Sequence, residues 1–222
     1  LAERVKMALD TAKGMAHLSA MSFVHRDLAA RNVLLDATMV CKVADFGLSR
    51  ALGKSKNSNE DDSDYYRSAT GVYPVRSTAV EAMSESIFST ASDVWSWGIF
   101  AIEVYQDGVR PYDGHVNKGL QVKIIKGLRP EEPAKCPVEV YNLLRTCWIE
   151  TPSERPDFYG IAKSMKQLEK ANLKVAAFDN SYNDFGFAED NAAGSKGAAK
   201  NAYIGIDESS IKAGSDAYIA IN

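Results

Sequence analysis

Apolar residues at the start of the chain recur in a helical rhythm. Leu1, Val5, Ala8, Leu9, Ala12, Met15 and Ala16 are spaced three or four apart, which predicts a helix with one apolar face. Two short β-prone runs follow, at residues 33–35 and 40–43. Asp36-Ala37-Thr38 separates them, so the pair reads as a small hairpin. Residues 53–64 contain no apolar side chain and read as a solvated loop. Helical patterning returns at residues 91–105, with Thr90 or Ser92 as the expected cap. Further helices are predicted at residues 117–126, 138–147 and 157–173, joined by loops that carry proline.

Beyond residue 173 the pattern dissolves. Ala, Gly, Asn, Ser, Asp and Lys dominate, and residues 174–222 read as a disordered, tyrosine-bearing tail. Two stretches in it, Asn201-Ala202-Tyr203-Ile204 and Asp216-Ala217-Tyr218-Ile219, repeat one short pattern, and Tyr182 sits in a looser version. The expected architecture is therefore mainly α: one helical unit over residues 1–173 with a small β-hairpin, then the tail.

Composition narrows the class. Hydrophobic residues make up 45% and charged residues 25% of the 222, which suits a globular domain with a core. A net charge of −3 gives no sign of the basic face that a nucleic-acid binder needs. The longest apolar stretch, residues 91–105, holds Asp93 and Glu103 and is too short to span a bilayer. Residues 1–19 are amphipathic, so no signal peptide is expected there. Cys41, Cys136 and Cys147 lack metal-ligand spacing and read as thiols in a reducing compartment.

Two loops carry chemistry. His25-Arg26-Asp27-Leu28-Ala29-Ala30-Arg31-Asn32 places a carboxylate and a side-chain amide in one short segment. Asp45-Phe46-Gly47 brings a second carboxylate after the predicted hairpin. Together these resemble the catalytic and magnesium loops of protein kinases, and Leu-Ala-Ala-Arg between Asp27 and Asn32 resembles the tyrosine-kinase form. Pro74-Val75-Arg76 resembles the floor beneath the residue that follows a substrate tyrosine. Similarity continues through Ser92–Gly98, Arg110-Pro111-Tyr112, Cys147-Trp148 and Ser153-Glu154-Arg155-Pro156. Residues 1–173 thus resemble the large C-terminal lobe of a kinase-like fold.

The resemblance implies ATP-dependent transfer of phosphate to tyrosine in proteins, with ATP and magnesium as cofactors. Asp27 is the implied proton acceptor, braced by Arg31 near the γ-phosphate. Asn32 and Asp45 are the implied magnesium and ATP ligands. His25 and Phe46 are implied packing residues. Glu81 and Arg155 are the implied buried ion pair. For Asp93 two readings stand, an acceptor for the loop backbone or a helix N-terminal carboxylate. Tyr65 and Tyr66 resemble activation-loop phosphorylation sites with Arg26 as phosphate partner, or they are plain loop tyrosines. Tyr182, Tyr203 and Tyr218 are candidate docking sites for phosphotyrosine-reading domains, or incidental tail residues. The implied location is cytoplasmic, or the cytoplasmic side of a membrane if a preceding segment carries a span.

Three departures qualify the resemblance. No G-x-G-x-x-G loop or Val-Ala-x-Lys strand occurs in these residues, so the small lobe is missing from them. Ser77 and Val80 stand where the family reads Trp and Pro. The acidic stretch near residues 57–64 lengthens the activation loop. A catalytically impaired, kinase-like scaffold working through its tail is the alternative reading.

Overall fold

The computed structural model describes residues 1–51, 66–67, 73–116, 118–183 and 219–220. Its order is α1 (Ala2–Ala20), β1 (Phe23–Val24), β2 (Val33–Leu35), β3 (Cys41–Val43), β4 (Arg50–Ala51) and β5 (Tyr66–Arg67). Then come α2 (Val80–Glu85), β6 (Ile87–Phe88), α3 (Thr90–Tyr105), α4 (Leu120–Ile125), α5 (Val138–Cys147), α6 (Phe158–Asn183) and β7 (Ile219–Ala220). The architecture is mainly helical, with short antiparallel strand pairs, as expected for the large lobe of a kinase.

Helix α3 is the axis of the lobe. Its sequence is mostly apolar, and nearly every side chain from Ser92 to Tyr105 is buried, the pattern of a helix enclosed by its neighbours. Helices α1 and α5 pack against it, and α1 also packs along α6. The Trp97 indole N–H donates to the Ala8 carbonyl at 3.2 Å, satisfying a buried donor while tying α3 to α1.

The cap of α3 corrects the sequence expectation. Ser89 is the N-cap, and Ser92 sits three residues on in a reciprocal capping box. The Ser92 N–H donates to Ser89 Oγ at 3.3 Å, and the Ser89 N–H donates to Ser92 Oγ at 3.0 Å. Ser89 wins because its backbone is extended, at φ −145° and ψ 176°, whereas Thr90 is already helical. Helix α4 starts later than expected because Gly119 takes φ +82°, a left-handed turn that ends the preceding loop.

Helix α6 runs past the expected boundary at residue 173, to Asn183. Tyr182 therefore lies on a helical backbone. No glycine or proline interrupts residues 161–185, and Ala, Leu and Lys are good helix formers. In the hairpin, Val33 pairs with Val43 and Leu35 with Cys41. The far edge of β2 pairs with β7, where Leu35 faces Ile219.

Candidate active site

The loop from β1 to β2 is held from beneath by two carboxylates of α3. Asp93 accepts from the backbone N–H of His25 at 2.7 Å and of Arg26 at 2.9 Å. Glu103, on the other side of Gly98, accepts from the N–H of Ala30 at 2.7 Å. Burial pushes the Asp93 carboxyl up to about 7, against the pull of the two N–H groups and the Arg26 charge. Burial also raises Glu103, opposed by the Ala30 bond. Glu103 was not singled out from sequence. Its signal is a charged residue in a helix otherwise buried on every side.

The same loop bends sharply at Arg26, which takes φ +73°, and then tightens into a 3-10 turn over Ala30–Asn32. That turn aims two donors back at Asp27. The Arg31 guanidinium pairs with Asp27 Oδ1. Asn32 Nδ2 donates to Asp27 Oδ2 at 3.0 Å and to the Asp27 carbonyl at 2.7 Å. With its nitrogen engaged, Asn32 is left with a side-chain carbonyl oxygen to offer.

Asp45 also lies in the left-handed region, at φ +59° and ψ +72°, and its Oδ1 accepts from the Gly47 N–H at 3.2 Å. His25 links the two loops. Its Nδ1 accepts from the Asp27 N–H at 3.3 Å, so Nε2 carries the proton and donates to the Ala44 carbonyl at 3.0 Å. Burial lowers the pKa of this imidazole. The Phe46 ring lies against it with centroids 5.5 Å apart, while Phe46 itself remains 48% exposed. His25, Asp27, Arg31, Asn32, Asp45 and Phe46 thus converge on one region.

A family model described as protein tyrosine and serine/threonine kinase matches residues 1–165. The chain belongs to this kinase family. It is 41% identical over 179 residues to the tyrosine-protein kinase receptor Tie-1 of Danio rerio, covering 79% of this chain and 92% of that protein. To the human tyrosine-protein kinase Srms it is 42% identical over 165 residues, 74% of this chain and 32% of Srms. To the ephrin type-B receptor 4b of Danio rerio it is 43% identical over 173 residues, 77% of this chain and 17% of that receptor. The chain thus spans nearly the whole of one relative and a third or less of the other two.

Of the other residues singled out from the sequence, Glu81 and Arg155 lie away from these loops, Arg26 belongs to the β1–β2 loop, and several fall outside the described residues. Arg155 makes a two-pronged pair with Glu81, Nη1 to Oε1 at 2.7 Å and Nη2 to Oε2 at 2.8 Å. Its guanidinium also lies 5.1 Å from the Trp95 ring centroid. Arg26 donates to the Leu48 carbonyl and stacks 4.5 Å above the Phe88 ring. Tyr66 belongs to β5, where its partner across the pair is that same Phe88. Tyr65, Tyr203 and Tyr218 lie outside the described residues. Cys41, Cys136 and Cys147 are buried free thiols, each pushed up to about 12 by burial. Among the described residues there is no helix long and apolar enough to cross a membrane. There is also no cluster of three His, Cys, Asp or Glu able to hold a metal.

Proposed function

We propose that this lobe transfers the γ-phosphoryl group of ATP to tyrosine hydroxyls of proteins, with Asp27 orienting the hydroxyl and accepting its proton. One observation carries the reading. Both oxygens of Asp27 are fixed by donors from a single turn, Arg31 on Oδ1 and Asn32 on Oδ2. A tyrosine hydroxyl has a pKa near 10, so its proton leaves late and placement of the base outweighs basicity. Arg31 is then positioned to brace the base and face the γ-phosphate.

Kinases of this family use ATP and magnesium. The donor set fits that ion, which favours hard oxygens and takes few protein ligands because phosphate and water complete its shell. Asp45 offers a carboxylate and Asn32 a carbonyl oxygen, so two protein ligands are in keeping with the family's use of the ion. When bound, magnesium neutralises phosphate charge and aligns the transferred group. The lysine and glycine-rich loop of an ATP site are not among these 222 residues, and full turnover calls for a small lobe that supplies them.

The proposal extends to Tyr66. Its strand partner Phe88 carries the Arg26 guanidinium on its ring, which supports Arg26 as the group that receives a phosphate on the Tyr65-Tyr66 pair. Tyr182, Tyr203 and Tyr218 are proposed docking tyrosines for phosphotyrosine-reading domains.

Incubation of the protein that carries this lobe with ATP, magnesium and a tyrosine peptide tests the reading. Asp27→Asn should lower phosphate transfer at least about 100-fold without changing the melting temperature. Phosphopeptide mapping of the unaltered protein should find Tyr65 or Tyr66 modified. Near-normal transfer by the variant would remove Asp27 from its role. A second reading, an impaired scaffold, is favoured by Ser77 and Val80, and a completed protein with no transfer activity would decide for it.

A further inference from the structure

The outer edge of β2 carries a strand that the phosphoryl-transfer chemistry does not use. The Ala44 N–H donates to the Asn32 carbonyl at 2.8 Å, and the Asp36 N–H donates to the Val40 carbonyl at 3.1 Å. The even-numbered residues from 32 to 36 thus turn their backbone polar groups toward β3. A strand alternates, so Val33 and Leu35 turn theirs outward. An apolar edge with outward N–H and C=O groups is a template for a further strand. Strand β7 takes that place, with Leu35 opposite Ile219 and Leu34 opposite Ala220. By the same alternation, Leu35 and Ile219 are the pair that exchanges both backbone bonds. β7 also lies beside the Ala30–Asn32 turn of the catalytic loop.

We propose that the outer edge of β2 is a docking site for the tail segment Asp216–Ile221, and that phosphate on Tyr218 releases it. The release rests on the reading of Tyr218 as a phosphorylated docking tyrosine, whereas the docking does not.

Sequence and reach select this occupant. The tail carries Ala-Tyr-Ile-x-Ile twice, at residues 202–206 and 217–221. The copies differ at x, Gly205 in one and Ala220 in the other, and glycine weakens a strand interior. The pairing falls on the alanine copy. The 35 residues between α6 and β7, at about 3.3 Å each, can cover on the order of 100 Å, ample for reaching this edge.

Charge selects the release. Carried one residue further, the register sets position 218 against Asp36. Asp36 accepts from the N–H groups of Thr38 and Val40 and from the Thr38 hydroxyl, bonds that favour the ionised carboxylate. Of the cations near it, Lys42 is engaged by Asp36 itself at 3.2 Å, and Lys6 by Asp10 and the Met39 carbonyl. A phosphate on Tyr218 therefore meets an anion directly across the ladder, and like charges so placed weaken a strand pair. Docked, the segment is withheld from a phosphotyrosine-reading domain; released, it is on offer.

Amide hydrogen exchange of the 222-residue chain, followed residue by residue by NMR, tests both halves. Ile219→Pro deletes the donor to the Leu35 carbonyl. It should speed exchange of the Leu35 N–H at least about tenfold, while the Leu34 N–H, which faces β3, keeps its rate and shows the hairpin intact. Ile204→Pro, in the other copy, should change neither. With Tyr218→Glu, Leu35 should exchange about threefold faster than with Tyr218→Gln, which matches its length without the charge. An unchanged Leu35 rate in Ile219→Pro, or a response to Ile204→Pro instead, would overturn the docking. Equal rates in the Glu and Gln variants, or a slower one in Glu, would overturn the release. A Leu35 rate that rises when the unaltered chain is diluted about tenfold would assign the strand to a second copy and overturn the intrachain proposal. Phosphopeptide mapping that finds Tyr218 unmodified removes the release alone, and a failure at Asp27→Asn touches neither half.

Discussion

His25 shows how much of the site depends on single side chains. It accepts from the backbone of Asp27 and donates to the carbonyl before Asp45, so one imidazole aligns both loops. Only the neutral ring can do this, because protonation removes the Nδ1 acceptor. Burial holds its pKa below the usual 6.5. Its contribution to stability is therefore complete above about pH 6.5 and is lost as pH falls through the lower folded-state value. Urea midpoints from about pH 8 to about pH 5 should show the advantage over His25→Gln shrinking on the acid side. A gap that stays constant with pH would refute the assignment. The loop itself was legible in sequence because His25 to Asn32 are consecutive and resemble a known motif in one unbroken run. Glu103 was not, because a charge in a buried helix signals that a partner exists but not which one, and Ala30 lies 73 positions away.

Among the elements, α3 was legible in outline and less so at its ends. Its apolar run is long enough to declare a buried helix, but Ser89, Thr90 and Ser92 all qualify as caps by residue type. Backbone angles, which sequence does not display, decide among them. The end of α6 was missed for a different reason. A change in composition suggested a tail, while the absence of a helix breaker allowed the backbone to continue. Gly98 is the tightest point of α3. A methyl group there meets Trp148 Nε1 at 2.6 Å and Cys147 Cβ at 3.1 Å, so α5 and the residue after it approach the bare backbone. Alanine is the better helix former, yet Gly98→Ala should destabilise the lobe by about 1–3 kcal/mol through overpacking. Calorimetric melting checks it, and an unchanged or raised midpoint would count against this packing.

Across the whole molecule, the Glu81–Arg155 pair joins the segment after the activation loop to the region before α6. Arg155 is fully buried at its side chain and Glu81 is 10% exposed, so neither charge has much access to water. Arg155→Met should cost about 3–5 kcal/mol in urea unfolding, whereas replacing both residues by Met should cost less, since no lone charge remains. A double variant worse than the single one would contradict this. The large-lobe fold was legible because its motifs extend to Arg155, while pairings such as Leu35 with Ile219 join distant segments and left no trace in the pattern. The two left-handed residues beside the chemistry, Arg26 and Asp45, bear on how such a protein responds to breeding in the laboratory. Each holds a backbone shape that disfavours its own side chain by about 1–3 kcal/mol. A selection rewarding heat resistance alone would find glycine at these positions among its easiest gains. Its winners would include lineages that had discarded the Asp45 carboxylate proposed above as a magnesium ligand, so any programme to toughen this lobe has to screen for phosphate transfer at every round.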